Sequence, residues 1–257
     1  MIDDFTGKAG TAIVAGGSGG IGAAVCRRLA QAGSAVTLTY RTRRSAADSL
    51  VRELADLGVP ASARQLDLTD ASATQAFADA VAAEADGVHT VVYAAGPPVP
   101  QTYLSQVSPA VMNNQLTQDA AAFFALVHAT LPALRRSRGC VIAVTTAATR
   151  RHPSRDGLST GPKGAVEALA RAFAAEEGRY GVRVNCVGPG MLTDGMSAVL
   201  RSSGQLDDRA LEAAMRNIPL RQFGTAADVG EAVCFLASDR ARFITGQKLD
   251  VDGGYAS

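Results

Sequence analysis

The sequence predicts one α/β domain: a doubly wound, parallel sheet of about seven strands with helices on both faces. Three observations predict it. Short apolar runs rich in β-branched residues alternate with longer stretches of helical periodicity. No low-complexity linker, charge block or short internal repeat interrupts that alternation. A chain of 257 residues, 47% of them hydrophobic, suffices for one large core and lies near the upper size of a single-core domain. Strand, helix, strand in repetition means parallel neighbours joined by right-handed crossover helices, which cover the sheet on both sides.

In chain order, residues 11–15 form a strand-length apolar run that ends on a glycine cluster, and residues 21–32 follow with helical spacing. The same pair recurs as strand 35–39 with helix 46–57, strand 63–66 with helix 71–85, and strand 90–94 with helix 120–136. Strand 140–145, helix 165–177, strand 182–187 and a closing strand 248–251 complete the series. The least regular segments, 96–108, 149–158 and 191–220, each follow a strand end. Ligands of open α/β sheets bind at that edge, so substrate contacts are expected there, with 191–220 as the substrate-loop region of a single domain spanning 1–257.

A formal net charge of +1 supplies no overall field for nucleic acid or an anionic membrane, and neither is expected as a partner. Cys26, Cys140, Cys186 and Cys234 are scattered, with no CxxC pair and no histidine at metal-ligand spacing. They read as free, mostly buried thiols in a reducing compartment, with no metal site. No apolar stretch approaches the roughly 20 residues that span a bilayer, and Met1-Ile2-Asp3-Asp4 is acidic where a signal peptide would be basic. The expected location is the cytoplasm.

The segment from Ala15 through Gly16, Gly17, Ser18, Gly19, Gly20 and Ile21 to Gly22 follows the first strand and opens the first helix. Glycines let a backbone turn sharply and approach a pyrophosphate, while a helix start offers free N–H groups and partial positive charge. In that strand-to-helix context the loop points to a dinucleotide rather than to a merely flexible turn. After the second strand, Arg41 stands where an acid would bind ribose hydroxyls in an NAD site. A guanidinium grips phosphate in bidentate fashion, so NADP(H) is favoured, with Arg43 and Arg44 beside it, Arg44 as a solvated helix start. Asp67 and Leu68 close the third strand, where a carboxylate accepts from an adenine amine; Ala94, Ala95 and Gly96 close the fourth, where small residues let a cofactor lie against the backbone.

Together these features resemble the short-chain dehydrogenase/reductase family, of Rossmann fold, along nearly the whole chain. The tail carries the resemblance strongly: Phe223-Gly224-Thr225-Ala226, Asp228-Val229, Phe235-Leu236-Ala237-Ser238-Asp239, Ile244-Thr245-Gly246-Gln247 and Val251-Asp252-Gly253-Gly254. Asn185 followed by Pro189-Gly190 matches the segment after the family's sixth strand. The resemblance implies a carbonyl reductase or alcohol dehydrogenase similar to the β-ketoacyl-carrier-protein reductases. It further implies a homotetramer or dimer, with subunits packing through helices 120–136 and 165–177.

The family's chemistry uses Asn, Ser, Tyr and Lys, the last two as Tyr-x-x-x-Lys. Lys163, in Lys163-Gly164-Ala165, matches the lysine, which implies a role in ribose binding as well as catalysis; four residues earlier stands Ser159. Thirteen residues before Ser159 the serine position holds Thr146, and an ungapped match through Phe123 and Leu131-Pro132 puts Gln118 at the asparagine, with Asn113 and Asn114 as competitors. Tyr93-Ala94 replaces a frequent Asn-Asn pair, and Asp194 falls where a threonine often holds the nicotinamide amide, a role Thr193 can take. The cofactor half therefore matches the family and the substrate half departs from it.

Ser159 is far less acidic than a tyrosine near a lysine and shorter by a phenol ring, so direct proton donation in the usual substrate pose is not expected. A water held by Ser159 and Lys163, or a loop residue such as Tyr103 or His152, remains as proton source. Ser159 also suits a helix N-cap or first turn ahead of Pro162. The basic run Arg150-Arg151-His152-Pro153-Ser154-Arg155 reads either as a receiver of an anionic group, such as a phosphopantetheine or an acidic carrier face, or as a solvated loop. The leading expectation is an NADP(H)-dependent oxidoreductase acting on a small-molecule or acyl-thioester carbonyl. A non-redox enzyme of the same fold and a cofactor-binding pseudoenzyme are the alternatives.

Overall fold

The computed structural model describes residues 4–194, 212 and 215–257. Its seven strands are β1 (Thr11–Ala15), β2 (Val36–Tyr40), β3 (Ala61–Gln65), β4 (Val88–Tyr93), β5 (Cys140–Val144), β6 (Arg183–Pro189) and β7 (Lys248–Val251). They form one parallel sheet in the order β3-β2-β1-β4-β5-β6-β7. The chain starts at the centre, winds outward to β3, then returns to β4 and winds the other way. The strand order therefore reverses between β1 and β4, the crevice where such sheets bind ligands.

Among the described residues the helices around the sheet include α1 (Gly20–Gln31), α2 (Arg44–Asp56), α3 (Ala71–Glu84), α4 (Pro109–Leu116), α5 (Ala122–Ser137), α6 (Ala148–Arg151), α7 (Gly157–Glu177) and α8 (Ala226–Ala237). A π-helical turn, Thr117–Ala121, joins α4 to α5. Successive residues of β1 face opposite ways: Ala12 and Val14 join a core with α1, α2 and α8, whereas Ile13 and Ala15 join one with α3, α5 and α7. Among the described residues no helix is long and apolar enough to cross a membrane. All four cysteines are buried and unpaired, and burial pushes their thiols above the usual range.

Most bounds differ from the sequence expectation by a residue or two, and two differences bear on the site. The seventh helix begins at Gly157 rather than at 165, because Pro162 near its start removes one amide donor yet the turn before it still closes through Ser159 N and Thr160 N on Asp156 O. Strand β3 stops at Gln65, so Asp67 and Leu68 lie beyond it, with Leu68 turned into the core. Of the expected substrate-loop region 191–220, residues 195–211, 213 and 214 lie outside the described residues.

Candidate active site

The glycine loop at the β1–α1 junction is shaped by contacts only glycine permits. Gly16 has φ +77°, and a Cβ there would lie 2.7 Å from Ala94 O; one on Gly22 would collide with Gly16 O. The turn is tied down by Gly16 N donating to Thr39 Oγ1 (3.2 Å) and Gly19 N donating to Gly16 O (3.0 Å). Among the described residues no side chain caps α1, which leaves its first amides to an anion. Ile21 packs on the core beneath, while Ser18 and Gly20 line the cleft above.

That cleft has a volume of about 650 Å³ and lies between the glycine loop, the segments after β2, β3 and β4, and the π-helical turn. Arg41 stands exposed at its rim, its backbone oxygen accepting from Gln65 Nε2 at 2.9 Å. Its Nη1 donates to Gln118 Oε1 at 3.2 Å. Asp67 lines the same cleft, and Thr69 donates to its Oδ1 through both N (3.0 Å) and Oγ1 (2.7 Å). Those bonds, with a smaller contribution from the Arg41 charge, hold the Asp67 carboxyl below the usual carboxylate range. The arrangement suits a nucleotide: a loop with no room for Cβ atoms, an uncapped helix start, a carboxylate and a guanidinium around one cavity.

At the inner end, Lys163 Nζ donates to Ala95 O (3.2 Å) and to Asp119 Oδ1 (2.9 Å). A Cβ on Gly96 would come within 3.4 Å of that ammonium. Asp119, 3% exposed, also accepts from Tyr93 OH at 3.0 Å, and the same hydroxyl reaches the Asp119 backbone oxygen at 2.9 Å. Burial, and then the Asp119 charge, push the Tyr93 phenol well above its usual range, so it stays a neutral donor. The sequence match puts Gln118 at the family's asparagine position; in the structure Gln118 accepts from Arg41 and the adjacent Asp119 accepts from Lys163. Both belong to the π-helical turn. Asn113 and Asn114 are exposed on α4.

Ser159 lies in the first turn of α7, half-buried, and its hydroxyl has no hydrogen-bond partner among the described residues. Thr146, just past β5, accepts from Ala148 N at 3.2 Å through its Oγ1. Its backbone oxygen is held by Lys248 Nζ at 2.7 Å. Lys248 sits in a buried ionic group: Glu167 Oε1 and Asp250 Oδ1 are each 3.1 Å away. The angle to Asp250 Oδ1 is too bent for a hydrogen bond, so charge alone holds that oxygen.

Pro189 O accepts from Ala147 N and Gly190 N donates to Val251 O, both at 2.9 Å, which fixes the end of β6 beside Thr146. Thr193 N donates to Gly224 O (2.8 Å), while Asp194 accepts from Ala226 N and so starts α8. Tyr103 is 48% exposed with Arg155 over its ring, and His152 is exposed. The basic loop is engaged within the chain: Arg150 pairs with Asp250, and Arg151 lies on the Tyr255 ring and donates to Tyr255 O. Arg150, Arg151 and Arg155 are all exposed as well as engaged within the chain.

The family model described as enoyl-(acyl carrier protein) reductase matches residues 15–256. The chain belongs to the short-chain dehydrogenase/reductase family. It is 31% identical over 257 residues to nodulation protein G of Rhizobium sp. (strain N33), covering 98% of both chains. It is 28% identical over 245 residues to the 3-oxoacyl-[acyl-carrier-protein] reductase FabG of Staphylococcus aureus (strain Mu50), covering 95% of this chain and 97% of that one. Among solved structures it is similar to a short-chain type dehydrogenase/reductase from Mycobacterium ulcerans (TM-score 0.91, 27% identity, 98% of this chain and 91% of that one). A blue fluorescent protein from a metagenomic library, in complex with NADPH, superposes with TM-score 0.88 at 28% identity, covering 99% of this chain and 100% of that one.

Within this short-chain dehydrogenase/reductase, sequence reasoning missed two site residues, Asp119 and Tyr93 as its donor. One signal was available, a tyrosine amid small residues at the end of β4. A bulky phenol there must find a hydrogen-bond partner on the neighbouring helix.

Proposed function

We propose that this chain is an NADP(H)-dependent oxidoreductase that interconverts a carbonyl and its alcohol through an altered proton relay. The observation that carries the NADP(H) assignment is Arg41: a guanidinium at the rim of the cleft above the glycine loop, without an ion-pair partner among the described residues. The NADPH held by one structural relative and the 3-oxoacyl reductase activity named for FabG support a ketoreductase-like assignment. The nicotinamide supplies hydride when bound. Gly16, Ser18, Gly20, Gly22, Arg41, Asp67, Ala95, Gly96 and Lys163 are the residues proposed to hold the cofactor, with Pro189, Gly190 and Thr193 toward its nicotinamide end.

Thr146 is proposed to donate its hydroxyl to the substrate carbonyl. Ser159 and Lys163, one helical turn apart, bind a water that delivers the proton in place of a phenol. A relay without a positioned general acid is slower by about 10²–10⁴. The ion pair of Lys163 with Asp119 favours a second possibility, a cofactor-binding pseudoenzyme, because it withdraws the free positive charge that would activate a proton donor. A homotetramer, or a dimer, is proposed from family likeness and from Phe124, 45% exposed and stacked on Phe173 between α5 and α7. A cytoplasmic location agrees with four unpaired, buried cysteines.

NADPH titration by fluorescence, followed by its oxidation with a panel of ketones and ketoacyl thioesters, tests the assignment. Binding with slow turnover is expected. Binding without turnover on any substrate transfers the case to the pseudoenzyme, and no binding of either nicotinamide nucleotide removes both.

A further inference from the structure

Arg41 is held in an unusual way for a residue meant to meet a phosphate. Its backbone is fixed by Gln65, and among the described residues its guanidinium makes one hydrogen bond, from Nη1 to Gln118 Oε1. Gln118 belongs to the π-helical turn and both residues line the cleft, so this bond spans the cleft from the β2 side to the α4–α5 side. The nearby acid, Asp67, lends its Oδ1 to Thr69 instead of to Arg41.

We propose that Gln118 is a cofactor-discriminating residue, which presents the Arg41 guanidinium to a 2′-phosphate by tethering it through an uncharged acceptor. The inference deepens the NADP(H) assignment above and rests on it. Three physical points support it. An amide oxygen orients the guanidinium without cancelling its charge, whereas a carboxylate would do both. Among the described residues only Nη1 is engaged, which leaves Nε–H and the Nη2 donors to take two phosphate oxygens side by side. Holding a long, exposed side chain near one place before the ligand arrives also removes part of the ordering cost of binding. The adjacent Asp119 serves Lys163 at the other end of the cleft, so a single helical irregularity supplies one residue to each end.

The test is calorimetric titration of the full chain, its Arg41→Ala, Gln118→Ala and Gln118→Glu variants, with 2′-phospho-ADP-ribose and with ADP-ribose. The readout is the ratio of the two affinities. Arg41→Ala is expected to collapse the preference for the 2′-phosphate. Gln118→Ala is expected to lower the ratio about three- to tenfold, as loss of one orienting hydrogen bond does. The near-isosteric Gln118→Glu is expected to lower it by more than about tenfold, since it captures the guanidinium in an ion pair. If both Gln118 variants keep the ratio within about twofold while Arg41→Ala abolishes it, the tether is irrelevant and NADP(H) preference stands. If Arg41→Ala leaves the ratio unchanged, the tether and the NADP(H) assignment fail together.

Discussion

Lys163 lies 2.9 Å from a carboxylate that is itself almost wholly buried, and this changes what the lysine can do for its neighbours. An ammonium lowers the pKa of a nearby phenol through its positive field, and a counter-ion in contact with it cancels most of that field at a distance. Restoring the aromatic acid by Ser159→Tyr is therefore expected to give little turnover, with the new phenol near its ordinary value of about 10. Adding Asp119→Asn keeps a hydrogen-bond acceptor for Tyr93 and Lys163 but frees the charge. The double variant is expected to exceed Ser159→Tyr alone by about tenfold or more in carbonyl reduction at neutral pH. Its pH–rate profile should also shift to lower pH. Equal rates and coincident profiles for the two variants would show that Asp119 does not govern the lysine's field. At this scale the sequence singled out Gly16, Gly22 and Arg41 from local geometry or charge at a strand end, and Lys163, on α7, only through the family resemblance. It hid Asp119, because the carboxylate meets Lys163, 44 residues away in sequence, only through the packing of the turn Thr117–Ala121 against α7.

Elements set where those residues stand. Apolar runs located all seven strands to within a few residues; in the five inner strands burial on both faces leaves little freedom of composition, whereas the edge strands β3 and β7 are only partly buried. Helix α8 was harder to read because its contacts demand small residues: Gly230 brings it against α1, where a Cβ would sit 3.2 Å from Ala24 O. The ionic group under α6 and α7 was equally invisible, since Lys248, Glu167 and Asp250 are brought together only by the pairing of β7 with β6 and the packing of α7. Lys248 is 9% exposed and is the cation facing both acids. Lys248→Met removes it and leaves Glu167 beside Asp250, which Arg150 holds only through its other oxygen at 3.0 Å. Removing one partner of a buried pair costs about 3–5 kcal/mol, and urea midpoints should fall accordingly. Lys248→Met combined with Glu167→Gln should recover part of the loss by removing one stranded charge. A single variant as stable as the parent chain would mean the group is solvated in solution and does not brace Thr146.

For the whole molecule, the sheet separates chemistry from stability. The cleft and the lysine lie at the carboxyl edge of the strands, while the opposite edge holds His89, one residue into β4 and 2% exposed. Its ring stacks on Phe5 at 5.5 Å, Nδ1 lies 2.9 Å from Thr90 Oγ1, and Nε2 lies 3.4 Å from Ser34 Oγ. Burial, with the Lys8 charge adding to it against a weaker opposite pull from Asp239, brings its pKa down to about 4. The imidazole is thus neutral in the folded chain while the unfolded chain titrates near about 6.5. Between those values the unfolded state holds the extra proton, so folding stability is full above about pH 6.5 and falls as pH drops toward 4. The window corresponds to a loss of the order of 3 kcal/mol. It should appear as a progressive fall in urea midpoint from pH 7 to pH 4.5, and His89→Gln, which cannot titrate, should be flatter across the same range. Since the cleft is at the other edge, NADPH added at saturating concentration should raise both midpoints without removing the difference in slope between them. A parent chain with a level midpoint over that interval, or a His89→Gln variant that parallels it, would move the acid sensitivity to other groups.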